Sequence, residues 1–173
     1  MQARAALPCL VALALTGLPA AATSVRPAQP PLWLSVEGLF SQPGADLSRG
    51  GGGGLRLGYR ITDQISVAGG FSTLLAHNHP ITMAAAGLEA TLDSTPIAPF
   101  LELSILRADP VGRTDFTLAQ RTGFGADYLL GRGVAIGAVV RYVTPLDSGG
   151  NLAASQLAGL EVGLRLVLTP GLF

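Results

Sequence analysis

The segment LAGLEVGLRLVL, residues 157–168, decides the fold. Leu160, Val162, Leu164, Leu166 and Leu168 recur at every second position, with Gly159, Glu161, Gly163, Arg165 and Val167 between them. A period of two marks a β-strand, because successive side chains of a strand point to opposite faces. One face here is apolar; the other holds glycine, an acid and a base. Seven further strand-like segments follow the same rule, at about 32–41, 54–62, 65–73, 82–92, 99–106, 120–129 and 134–143, which makes eight. The chain's 23 glycines are spread throughout and no long window keeps a 3.6-residue period, so helices are not expected.

Parity then sorts the charges. One face collects Leu34, Val36, Phe40, Leu55, Leu57, Tyr59, Val67, Phe71, Leu88, Leu101, Leu103, Ile105, Phe124, Tyr128, Ile136, Val140 and Tyr142, with no charged residue among them. The other face carries Glu37, Arg56, Arg60, Glu89, Glu102, Arg121, Asp127, Arg141, Glu161 and Arg165, five acids and five bases. Three strands test this sorting, because each has two charges that must agree: Arg56 with Arg60, Arg121 with Asp127, and Glu161 with Arg165. All three pairs share a face. The charged face is also the small face, holding Gly58, Ser66, Ala68, Gly70, Gly87, Gly123, Gly125, Gly137 and Gly163.

Small residues leave room for long arginines inside a narrow barrel, and eight strands enclose a space that side chains just fill. Charges inward and leucines outward is the inverse of a soluble ligand-binding barrel. It suits a sheet in lipid, which must close on itself because an unpaired backbone group in hydrocarbon costs several kcal/mol. The expected fold is all-β, an eight-stranded antiparallel transmembrane barrel. The ten inward charges are expected to pair, since an isolated buried charge is costly and arginine binds carboxylates in bidentate fashion. Arg56 and Arg60 are expected to reach Glu89 and Glu102. Glu37, Glu161, Arg141 and Arg165 are expected to cluster where the last strand meets the first.

Outside the strands, residues 1–22 read as a secretory leader: Arg4, an apolar run broken by Pro8 and Gly17, then Ala20-Ala21-Ala22. The single cysteine, Cys9, lies within it, so the exported chain is expected to have no disulfide. Residues 23–31 are a proline-rich lead-in and 32–173 the barrel. With 11 basic and 11 acidic residues and no lysine, the chain offers no field for nucleic acid. Short connections are read at 62–64, 93–98 and 130–133, and longer ones at 42–53, 74–80, 107–115 and 144–156.

The phrases LRLGYRITDQISVAGGFS (55–72) and GFGADYLLGRGVAIGAVVRY (123–142) each run strand, tyrosine, tight turn, strand. In this the chain resembles the small bacterial outer-membrane β-barrels, of the kind formed by the transmembrane domain of outer membrane protein A. The resemblance covers 32–173 and implies outer-membrane lipid and the barrel assembly machinery as partners, and a monomer. It departs from the family in three places. Aromatics make up only 6% of the chain, Trp33 and Phe100 fall on the inward parity near strand ends where an interfacial position is open to them, and Thr169-Pro170-Gly171 puts Phe173 out of step with the last strand.

Candidate chemistry is sparse. His77-Asn78-His79 is the only histidine cluster and lacks a third ligand, so no metal is expected. Barrels of this family that modify lipid A imply a serine and histidine near an acid on a strand, which cannot be placed here. The run Gly50–Gly54 lacks the Lys-Ser/Thr of a phosphate loop and reads as a flexible loop. No cofactor and no catalytic residue is expected. A structural barrel leads, with a narrow channel or a lipid A-modifying enzyme as the alternatives.

Overall fold

A computed structural model describes residues 31–43, 50–76, 79–92, 96–111, 116–131, 133–146 and 158–169. The leader, nearly all of the lead-in, His77, Asn78 and Phe173 lie outside them. Eight strands are formed: β1 Leu32–Pro43, β2 Gly50–Arg60, β3 Ile65–Ala76, β4 His79–Thr91, β5 Ile97–Pro110, β6 Thr117–Gly131, β7 Val134–Pro145 and β8 Gly159–Leu168. Each pairs antiparallel with its neighbour in sequence, and β8 pairs with β1, closing an eight-stranded barrel.

The stagger is read by following register partners around the wall. The circuit runs Trp33, Gly58, Ala68, Gly87, Ser104, Arg121, Val143, Gly159, and returns to β1 at Pro43, ten residues above its start. Eight strands with that stagger tilt about 40° from the axis, inside the range for such barrels. Closure leaves no open edge, so each ladder is completed by a neighbouring strand.

Three connections at one end are short, by the strand bounds. In the first, the Thr62 hydroxyl accepts from the Ile65 amide at 3.0 Å and the Gln64 amide at 3.3 Å. In the β6–β7 turn Gly133 has φ 77°, a left-handed conformation that a side chain disfavours. This end also holds residues 31 and 169 and is called the turn end; the other is the loop end.

Outward side chains are predominantly apolar from β1 to β8, with the charged Arg107 and Asp109 near the loop end of β5. Phe71 is 74% exposed and Leu164 67%, and Leu55, Leu57, Leu101, Ile105 and Phe124 are each more than half exposed. Some connections differ from the sequence reading. The glycine run at 50–54 belongs to β2, where it pairs with β1 and β3. β3 and β4 consume most of 74–80, leaving only 77–78 between them, and β5 extends through Pro110. Glycines have no side chain to reveal parity, and an apolar residue on each face hides it in Leu74-Leu75.

Candidate functional site

Inward parity brings together nine charged side chains in one connected set. Arg141 lies at its middle, 1% exposed. Its Nε donates to Glu102 Oε1 at 2.7 Å, and its Nη2 donates to Glu37 Oε1 at 2.9 Å and Glu102 Oε2 at 3.1 Å. Its Nη1 stands 2.7 Å from Glu37 Oε2, close but poorly directed for a hydrogen bond. Arg56 Nη1 donates to Glu102 Oε2 at 2.7 Å and lies 3.4 Å from Glu37 and 3.6 Å from Glu89. One guanidinium thus serves three carboxylates.

Arg165 links the network to the turn end. Its Nε donates to Asp127 Oδ1 at 2.7 Å and its Nη1 to Glu89 Oε2 at 2.9 Å. Arg121 donates from Nε to Ser104 Oγ at 3.2 Å, lies 3.3 Å from Glu102, and is 3.9 Å from Glu161. Glu161 Oε2 is buried and accepts no hydrogen bond, which makes it the weakest link of the set. Arg60, the tenth residue, is half-buried near the turn end, opposite Ser66 in register.

The partners differ in part from those expected. Arg56 does meet Glu89 and Glu102, and Arg141 meets Glu37 across β8. The second cluster does not form as expected: Arg165 crosses the lumen to β4 and β6, and Glu161 faces Arg121 of β6. Strand tilt is the reason, because it brings residues far apart in strand order to one height along the axis.

Two aromatics complete the charged layer. Trp33 and Phe100 sit inside the lumen, 4% and 2% exposed, so neither takes the interfacial position that its place near a strand end left open. The Arg165 guanidinium carbon lies 3.6 Å from the Phe100 ring centroid and 6.0 Å from that of Trp33. The Arg56 guanidinium carbon lies 5.9 Å from the Trp33 centroid. The rings are seated on glycines: a Cβ on Gly58 would overlap the Trp33 indole, and one on Gly125 would meet the Phe100 ring. Gly70 makes way for Arg56 and Gly137 for Asp127 in the same manner.

Sequence reasoning missed a second layer. Toward the loop end the lumen is apolar, filled by Leu74, Ile81, Met83, Leu106, Ala108, Ala119 and Val143, each no more than 2% exposed. The signal was present: Leu74 continues the parity of Ser66, Ala68, Gly70 and Ser72, and Leu106 continues that of Glu102 and Ser104. The interior is therefore ions below and hydrocarbon above, rather than ions throughout.

A closed sheet with aliphatic side chains outward and paired ions inward is a membrane-spanning β-barrel. Three solved structures are similar to it in fold. Neisserial surface protein A aligns with a TM-score of 0.58 at 16% identity, over 80% of this chain and 95% of that one. The N-terminal β-barrel domain of Pseudomonas aeruginosa OprF aligns at 0.56 and 12% identity, over 82% and 98%. A transmembrane β-barrel designed de novo aligns at 0.53 and 12% identity, over 83% and 98%. At such identities the likeness is one of fold alone. No protein-family model matches the chain, and no curated protein matches it in sequence.

Proposed function

We propose that the chain is a structural barrel of a bacterial outer membrane, exported by the leader at 1–22, inserted by the barrel assembly machinery, and monomeric. It works without cofactor or catalysis, as a rigid wall that holds its loops at the surface and ties them to the envelope. The observation that carries this is the double closure of the lumen. The ion-pair layer spans the barrel, and the Leu74, Ile81, Met83, Leu106 and Val143 side chains fill the passage above it. Between Glu37, Arg56, Ser72 and Arg121 there is a space of about 10 Å³, room for about one water.

A channel needs a continuous polar path, and the apolar layer argues against one. The test is conductance of the refolded barrel in a planar bilayer at neutral pH. No unitary steps are expected for the wild type. Steady ion-selective openings would favour the channel reading and overturn this one.

A further inference from the structure

The outer wall is not uniformly studded with large side chains. Gly69 of β3 and Ala84 and Ala86 of β4 face outward side by side, and a groove of about 640 Å³ lies over them. Its walls are Leu57 and Phe71 on one side and Ile105 on the other. A Cβ on Gly69 would meet only the Ala85 carbonyl, at an ordinary 3.6 Å, so the floor is open rather than filled. The groove follows two adjacent outward register rows, from Leu34 on β1 to Arg107 on β5 and Leu118 on β6, crossing five interstrand spacings. At 4.8 Å each this is about 24 Å, room for one extended acyl chain. Because the strands tilt, the groove climbs toward the loop end as it goes.

At its upper end Arg107 lines the groove, and Asp109, two residues further along the outward face of β5, pairs with it. Arg107 donates from Nε and Nη2 to both oxygens of Asp109 at 3.0–3.1 Å, and its guanidinium carbon lies 4.5 Å over the Phe116 ring. Their side chains are 56% and 44% exposed. Both are outward on β5 near its loop end, where an arginine on the lipid face costs little. In hydrocarbon an apolar groove gains nothing by excluding water, so close fit and charge must distinguish its occupant. Phosphate suits Arg107, but a purely anionic headgroup would face Asp109. A headgroup with both a phosphate and an ammonium matches the pair sign for sign, and an ammonium bearing N–H groups donates to Asp109 where a quaternary one does not.

We propose that this groove is a lipid site. It holds one acyl chain of a lipid with a phosphoethanolamine headgroup, with the phosphate on Arg107 and the ammonium on Asp109. The inference rests on the outward face meeting lipid and is independent of whether the lumen conducts.

The test measures lipid retained by the folded barrel after extraction from vesicles of equal phosphatidylethanolamine, phosphatidylglycerol and phosphatidylcholine, by native mass spectrometry. Folding of every sample is checked first by the mobility shift between unheated and heated lanes of a gel. Wild type should retain the ethanolamine lipid about three- to fivefold over the others, the size an exposed charge pair confers. Ala84→Leu with Ala86→Leu, apolar on the lipid face and compatible with folding, should abolish retention of all three. Arg107→Gln with Asp109→Asn should keep retention and lose the preference. Equal retention of the three lipids by wild type, or unchanged retention when the groove is filled, means annular lipid only and overturns the proposal.

Discussion

Arg165→Met tests whether the lumen charges act as a set. The substitution keeps most of the side-chain volume and removes the charge that Glu89 and Asp127 share. Arg165 is 3% exposed, so the carboxylates it serves lose their partner in a space that water barely reaches. Breaking a buried pair from one side costs about 3–5 kcal/mol. The loss of the guanidinium from the Phe100 face adds up to about 2 kcal/mol, since that contact is desolvated. Part of the sum is recovered because Arg56 lies 3.6 Å from Glu89 and takes up some of its charge. The expected net loss is therefore about 3–5 kcal/mol. The assay is urea unfolding in lipid vesicles, followed by emission of Trp33, the single tryptophan, which lies in the lumen beside the perturbed group. Adding Asp127→Leu to Arg165→Met should restore about 1–3 kcal/mol, the coupling typical of residues in one network. Leu164→Ala, one residue away but 67% exposed on the lipid face, should cost far less. An unchanged midpoint for Arg165→Met, or a double variant whose loss equals the sum of the singles, would refute the reasoning.

The glycine seats give a matched pair. Gly58→Leu must displace the Trp33 ring and should destabilise by about 1–3 kcal/mol through overpacking, whereas Gly38→Ala, with nothing within 4 Å of the new Cβ, should be neutral or stabilising by about 0.4–1 kcal/mol, both read from the same unfolding curves. Gly133→Ala should cost about 1–3 kcal/mol through its φ of 77° and slow refolding of the β6–β7 hairpin, while Gly131→Ala, with open space around it, should not. Leu106→Ala opens the apolar layer at a site with 0% exposure and should cost about 2–5 kcal/mol without producing conductance, because the ion layer below it still blocks the passage.

Much of the architecture was legible because charge and parity coincide. Glu161 with Arg165 on β8, and Arg121 with Asp127 on β6, fix which face is inward, and each strand's pleat then carries that assignment along its length. The signal fades where both faces are apolar. At Leu74-Leu75 the residue types do not separate lumen from lipid and only parity carried along from Ser66 to Ser72 does, so Leu74, Ile81 and Ala108 fall outside the expected strands, while Met83, Leu106 and Val143 lie in expected strands with no charge beyond them to mark the layer. The glycines at 50–54 erase parity altogether. Ion-pair partners were legible only in part, for a different reason. Parity says that Arg165 points inward, but its height relative to Glu89 and Asp127 depends on the ten-residue stagger, a property of the closed circuit that no single strand encodes. The lipid groove was invisible for the same reason: Gly69 and Ala86 are 17 positions apart in sequence and become neighbours only through register.

An apolar lumen would have filled this barrel too, and a buried ion pair adds little net stability over well-packed hydrocarbon. What the charges supply is orientation of each strand. A slip of one residue turns a strand's entire set of side chains to the other face. In an all-apolar strand facing lipid on one side and an apolar core on the other, such a slip would lose little. With Arg56 in β2, the slipped strand places a guanidinium in the hydrocarbon, at about 2–4 kcal/mol near the midplane, and drives Leu55 and Leu57 into a layer shaped for glycine and arginine. Every strand holds at least one charged residue of the inward set: Glu37 in β1, Arg56 in β2 and Glu89 in β4 through to Arg165 in β8, with the one exception of β3. That strand's inward residues are Ser66, Ala68, Gly70, Ser72 and Leu74, and it is held between the two charged strands β2 and β4. Its register is thus the least defended in the barrel and rests on the parity of its neighbours: Phe71→Arg, mid-strand on the lipid face, should cost about 2–4 kcal/mol in the same urea unfolding, and a negligible cost would mean that β3 slips to turn the charge inward.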